Sequence, residues 1–357
     1  MGLKELPWRL GSHPNQQRQW QSSVSNEAFS SGWGGRAADL LHASYNSAGA
    51  SKVSMSISLS GINSFQIGTR GDLNQYIVNS AGVLPIGGFR NNSGSYGLAI
   101  NADNTYRDSD RGRRLQAFER LMSMTRENLH EEAHSKVVRS ARASEATVSE
   151  ALTAAAATGV DFDNNFGADT GRLGSQLQMV SRLIAGPAAL GNRRQIYFCQ
   201  LSGFDTHRSL ITLHSKLPSE LSSAMGAFAT TLKQLNAWDQ VTTFSASDFN
   251  RTFTPNNLDA NNAGSDHAWG GHAMVMGGSV KGGDLYGHFP NLRTGEVDGS
   301  IDRSRNGNWI PDTSVDQYSA VLANWMGASS SDLEAIFPNL GRFDNPLTNE
   351  SANLGFL

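Results

Sequence analysis

The order of apolar strand, long helix and apolar strand between residues 196 and 247 constrains this chain more than any other feature. Ile196 to Leu201 is a continuous apolar run, which fits a strand covered on both faces. Residues 211–235 follow with a helical pattern. Leu213, Leu217, Leu221, Met225, Phe228 and Leu232 fall on one face, and Pro218 is expected to kink the helix or separate its first turn. VTTFSAS (241–247) then reads as a second strand and HAMVMGG (272–278) as a third. A strand–helix–strand unit joins parallel neighbours by a crossover. The expected fold class is therefore α/β with three layers, a largely parallel sheet flanked by helices. The strands near Ile196 and Val241 should be parallel and adjacent or nearly so.

VSMSISLSG (53–61) alternates Val53, Met55, Ile57 and Leu59 with polar residues, the pattern of a strand with one buried face. Helical spacing recurs at Leu115, Phe118, Leu121 and Met122, and again along 130–158. Leu173, Leu177, Val180 and Ile184 give a further helix that Gly186 and Pro187 end. The expectation is a single domain over 1–357, with a mainly helical insertion at about 110–186. DQYSAVLANWMG (316–327) gives a last helix.

Composition excludes some functions. A net charge of −3 and a pI near 6.3 give no general nucleic-acid footprint. One cysteine, Cys199, forbids an intrachain disulfide, and its apolar setting reads as core. No run reaches the length of a membrane span, so no membrane partner is expected. MGLKELPWRLGSH has no apolar export region.

In open α/β sheets, ligands sit at the carboxyl ends of the strands. The polar segments GFDTH (203–207) and SDFNRT (247–252) fall there. Five of the nine histidines lie between His207 and His288, among Asp205, Asp248 and Asp266. Imidazole nitrogen and carboxylate oxygen from several loops suit a divalent cation. Such an ion can polarise an ester oxygen and lower the pKa of the attacking group. The candidate metal ligands are Asp205, His207, Asp248, Asp266 and His267. Bland readings stand beside each: Asp205 as a helix cap, Asp248 as the partner of Arg251, His214 and His288 as structural or exposed. Arg251 either grips an anionic substrate through its planar fork or neutralises Asp248.

GFDTHRSL, TTFSASDFNRTFTPN and GSDHAWGGHAMVMGGSVKGGDLYGHFP, with SHPNQQRQWQSS and SGWGGRAADLL upstream, resemble successive blocks of the bacterial DUF1501 family. The resemblance implies kinship with the alkaline phosphatase and sulfatase superfamily, hence an alkaline phosphatase-like sheet holding one or two divalent metals at its carboxyl edge. Zinc, calcium and magnesium are the candidate ions. The resemblance places Asp205 and His207 in the family's DTH block and Asp248 at the acid of a Ser-Glu-Phe-Gly-Arg-Thr motif. Asp266 and His267 fall in a later Asp-His block, and Ser12 with His13 in a Ser-His pair near the nucleophile. Asn250 stands where the motif usually has glycine. The family's amino-terminal strand and Gly-Gly-x-Asp segment are expected to be missing, so a partner or second copy would cover the shortened sheet. Family likeness implies a periplasmic or secreted protein; the chain as written, lacking a signal, implies a cytoplasmic one.

Two functions follow. One is a metal-dependent hydrolase of phosphate or sulfate esters acting on an anionic ester or carbohydrate, with Ser12 and Arg251 as catalytic candidates. The other is a degenerate metal-binding scaffold that holds a carbohydrate or cell-envelope partner without turnover.

Overall fold

The computed structural model describes residues 11–25, 30–46, 53–70, 75–82, 89, 96–101, 103, 105–124, 127–295, 302, 304–348 and 354–357. The elements run α1 (His13–Ser22), α2 (Trp33–Leu41), β1 (Ser56–Ser58), β2 (Tyr76–Ile77), α3 (Asp110–Ser123), α4 (Leu129–Ala156), α5 (Phe162–Asn165), α6 (Gly171–Ala185), α7 (Pro187–Leu190), β3 (Ile196–Phe198), α8 (Leu210–Gln234), β4 (Thr242–Phe244), β5 (Val275–Gly277), α9 (Val315–Met326) and α10 (Ser330–Ile336).

The expected large parallel sheet is absent from the described residues, and with it the alkaline phosphatase-like or sulfatase-like fold. The molecule is mostly helical and holds two small, unclosed sheets. One has the order β2-β1-β3, parallel throughout; the other pairs β4 with β5, antiparallel. The crossover argument fails at a definite place. Helix α8 returns the chain to β4, but β4 takes its hydrogen bonds from β5, registering Thr243 against Met276, rather than from β3. The Phe65 ring stands between the two sheets, its centroid 6.1 Å from that of Phe198 and 6.3 Å from that of Phe244. Apolar periodicity identified the segments as strands; it carries no information about which edge each one meets.

Two hydrophobic clusters flank the strands. The first unites Trp33, Leu41, Met55 and Phe65 with α9, α10 and the carboxyl-terminal Phe356. The second unites Ile57, Leu173, Leu183, Phe228 and Leu232, drawn from β1, α6 and α8. Tyr197 and Cys199 pack against that second cluster. Burial pushes the Cys199 thiol up to about 12, so it remains protonated and is no nucleophile. In β1 all three residues are buried, unlike the half-buried strand expected. Ser58 tolerates this because its Oγ donates to Gly61 O at 2.6 Å and accepts from the Asn63 amide at 3.3 Å, whereas Ser56 Oγ is buried without a hydrogen-bond partner.

Helix α8 contains Pro218 without ending there; the proline is exposed, which keeps its ring off the core. Only the second half of the predicted apolar face is sealed. Phe228 and Leu232 are buried, whereas Leu213 is 40% exposed, because the first turns project towards the loop cluster described below. Helix α9 begins with a capping box, Ser314 accepting from Gln317 N while the Gln317 side chain accepts from Ser314 N.

Asp316, buried in the first turn of α9, has its carboxyl pushed up to about 6 by desolvation, against lowering contributions from Ser23 and Arg36. A folded-state pKa above the unfolded one means that the folded chain binds the extra proton. This group's contribution is therefore full below about pH 4 and lost as pH rises through about 6. Urea unfolding of the wild type should show stability falling across that window. Asp316→Asn should remove that component of the slope; an unchanged slope would contradict the assignment.

Candidate metal centre

Four loops converge near the amino end of α8. Asp205 and His207 lie between β3 and α8. Arg251 and His267 face each other across an isolated antiparallel bridge, held by Thr252 N donating to Asp266 O at 2.9 Å and Ala268 N to Asn250 O at 2.9 Å. Gly11 and Ser12 lead into α1, which opens with His13. Gly264 closes the arrangement by bringing its backbone against His207: a Cβ there would fall 2.1 Å from the His207 carbonyl carbon, so no larger residue fits without moving His207.

The hydrogen bonds fix how each imidazole is presented. His13 Nδ1 lies 2.8 Å from Asp248 Oδ2. In the neutral tautomer that donates Nδ1–H to this carboxylate, Nε2 carries a lone pair. His207 Nδ1 lies 3.2 Å from Asp266 Oδ1, and His267 Nδ1 donates to the Gly11 carbonyl. In the corresponding neutral tautomers both rings present Nε2 without a proton. All three Nε2 atoms turn to Asp205. That of His13 is 3.2 Å from Oδ2, while those of His207 and His267 are each 3.0 Å from Oδ1 and 2.9 Å from one another. The His13 Nε2 is buried and has no hydrogen-bond donor.

Neutral rings so placed put three lone pairs beside a carboxylate, which is repulsive unless a cation or an added proton sits among them. One cation between His13 and His267 satisfies both of those nitrogens and the Asp205 oxygen, whereas a proton relieves one ring. Among the described residues, His13, Asp205 and His267 form a group that could hold an ion, with donor atoms all within 4.8 Å of one another. The donor set therefore fits a metal. Asp205 is held at about 2: desolvation works to raise it, but the facing His267, Arg251 and His13 side chains overcome that. It stays ionised and available as an oxygen ligand.

The seven residues singled out from the sequence take different places. His207 contacts Asp205, Asp266 and His267, and His267 also contacts Asp205. Asp248 reaches the cluster through His13 and also accepts from Gln17 Nε2 at 3.1 Å and Trp20 Nε1 at 3.3 Å. Arg251 pairs with Asp205, Nη1 to Oδ1 at 2.6 Å, and donates from Nη2 to Ser265 O; its partner is not Asp248. Ser12 is the N-cap residue of α1, and its side chain makes no capping hydrogen bond. His214 packs edge-on to Phe204, and His288 pairs with Asp312.

His13 is the member the sequence reading named only as a neighbour of Ser12. A signal was present. His13, Gln17 and Trp20 are spaced i, i+4 and i+7 on α1, one helix face, and all three side chains reach Asp248. That carboxylate orients a ring whose other nitrogen faces the cluster, the arrangement that steadies metal-binding histidines. Asp248→Asn should weaken zinc affinity by about 10- to 100-fold in a competition titration with a chromophoric chelator. Affinity equal to wild type would show that His13 needs no such support.

No helix among the described residues is long and apolar enough to cross a membrane. No curated protein and no solved structure matches the chain, so kinship with the alkaline phosphatase and sulfatase superfamily gains no support there. One family model does match, that described as protein of unknown function (DUF1501), over residues 3–303. With most of its length matched, the chain belongs to the DUF1501 family.

Proposed function

We propose that this protein is a metal-dependent hydrolase of phosphate or sulfate esters. The observation that carries the reading is the convergence of three imidazole Nε2 atoms on Asp205, each ring fixed from behind by Asp248, Asp266 or the Gly11 carbonyl. His13, Asp205, His207 and His267 would hold the ion. Three nitrogens and one oxygen favour zinc over calcium or magnesium, which prefer all-oxygen sites. Bound there, the ion would polarise an ester oxygen and acidify the attacking group.

The chain's own residues supply the rest. Arg251 fixes Asp205 and offsets its charge, a positioning role. Ser12 is the candidate nucleophile, since it lies between the carbonyl that orients His267 and the ring of His13, with its hydroxyl not spent on capping α1. Asp205 and His207 are each nearly half exposed, so an ester can approach from solvent. Hydrolysis adds water across the ester bond and releases an alcohol with inorganic phosphate or sulfate.

The test is turnover of p-nitrophenyl phosphate and p-nitrophenyl sulfate by zinc-loaded and chelator-stripped protein. Turnover of either, dependent on metal, supports the reading. Ser12→Ala should then abolish it while metal content stays unchanged. A zinc-loaded protein inert towards both esters would refute the hydrolase reading.

A further inference from the structure

A cavity of about 510 Å³ opens beside the cluster, lined by His207, Arg208, Asn256, Asn257 and Asn262. It shares His207 with the candidate metal centre, and a second strut joins them. Asn256 Nδ2 donates to His207 O at 3.0 Å and to Asp266 Oδ1 at 3.3 Å, while its Oδ1 accepts from Gly264 N at 3.0 Å. Asn256 thus ties the cavity wall to the cluster by hydrogen bonds.

The lining has a definite chemistry. It contains one cation, three carboxamides, one imidazole and neither a carboxylate nor an apolar side chain. Arg208 is exposed on the wall, whereas Arg251 commits both Nη atoms to Asp205 and Ser265. Asn262, on the cavity wall, gives its amide nitrogen to Asp259 Oδ2 at 2.7 Å, so its carbonyl oxygen is not used in that bond. Asn257 does the reverse, its Oδ1 accepting from Asp259 N at 2.9 Å, which leaves its amide nitrogen. A free donor and a free acceptor together suit a hydroxyl, which is both. An aliphatic or aryl group would strip water from these amides and give nothing back.

The geometry points to an anionic sugar ester as the ligand of this cavity: Arg208 pairs with the anion, and Asn257 and Asn262 hydrogen-bond the sugar hydroxyls. This deepens the ester-hydrolase reading and rests on it, since the ester must lie across His207 to reach the cluster. Arg208 is a specificity residue on this account, and it offers the charge that Arg251 does not.

Calorimetric binding of glucose 6-phosphate and of n-butyl phosphate to the zinc-loaded protein tests the cavity separately from the chemistry. Both are primary alkyl monoesters, and only one carries hydroxyls. The sugar ester should bind about tenfold more tightly, as two modest hydrogen bonds imply. In the double variant Asn257→Leu, Asn262→Leu that ratio should fall to about one. Arg208→Gln should weaken both esters and flatten the salt dependence of their binding. Equal affinity for the two esters, binding of neither, or a preference that survives the double variant would overturn the proposal. Selective binding of the sugar ester without turnover of any ester would keep the cavity assignment and sink the hydrolase reading instead.

Discussion

Asp205→Ala should lower zinc affinity by more than about 100-fold, beyond the loss usual for an outer hydrogen-bond partner, and should abolish any metal-dependent turnover. Asp205 is the one carboxylate that all three imidazole Nε2 atoms face, and Arg251 is aimed at it from the other side. Its removal takes away the only oxygen ligand in that set and leaves the Arg251 guanidinium against three imidazoles. The same change should spare the fold, because Asp205 is 46% exposed and contributes little to either core. Circular dichroism and a metal titration on the same preparation separate the two effects. A variant that keeps wild-type zinc affinity would show that the cluster is a hydrogen-bonded network without an ion.

The second large effect lies away from the site. Arg36 on α2 is 5% exposed, and its guanidinium joins the ends of two other helices. Nε donates to Ile336 O at 2.8 Å, at the end of α10. Nη2 donates to Ser22 O, the last residue of α1, at 2.5 Å, and Nη1 to Ser31 O at 3.1 Å. Carbonyls at helix ends lack intrahelical partners, so this side chain satisfies groups that would otherwise be buried and unpaired. Burial lowers Arg36 to about 10, with Asp316 opposing the shift, and it stays charged at neutral pH. Arg36→Met should destabilise the fold by about 3–5 kcal/mol, because it leaves the carbonyls of Ile336, Ser22 and Ser31 without this donor at about 1–3 kcal/mol each, read as a lower urea midpoint. Arg36→Lys should recover little, since an ammonium cannot reproduce the planar fork. Because Ser22 ends the helix that begins with His13, the surviving folded fraction should also bind zinc more weakly. A midpoint within experimental error of wild type would show that water replaces these bonds.

How much of this was legible from the sequence depended on whether a feature was local. The helices over 171–185 and 210–234 follow from side-chain spacing, a property of neighbouring residues, and are legible nearly to their ends; that over 110–123 is legible in place but not in its bounds. The strands at 56–58, 196–198, 242–244 and 275–277 were located as well. Their partners were not, because ladder choice depends on contacts such as Phe65 between Phe198 and Phe244, made across more than a hundred residues. That is where the large parallel sheet was wrongly expected. Within the site, Asp205 and His207 were visible because they stand together after an apolar run. His13 was missed as a ligand candidate because its role depends on Asp248, 235 positions away. Arg251 was paired with the wrong carboxylate for a similar reason. Sequence proximity suggested Asp248, while the bridge between Arg251 and His267 turns the guanidinium to Asp205.

X-ray absorption at the zinc edge, on protein loaded with one equivalent of zinc, tests the central claim most directly. Three imidazole nitrogens and one carboxylate oxygen should form the protein shell at about 2.0–2.2 Å. The multiple-scattering signature of imidazole should fall from three rings to two in His13→Ala. A shell of water oxygens without imidazole scattering, or a spectrum indifferent to His13→Ala, would contradict the account.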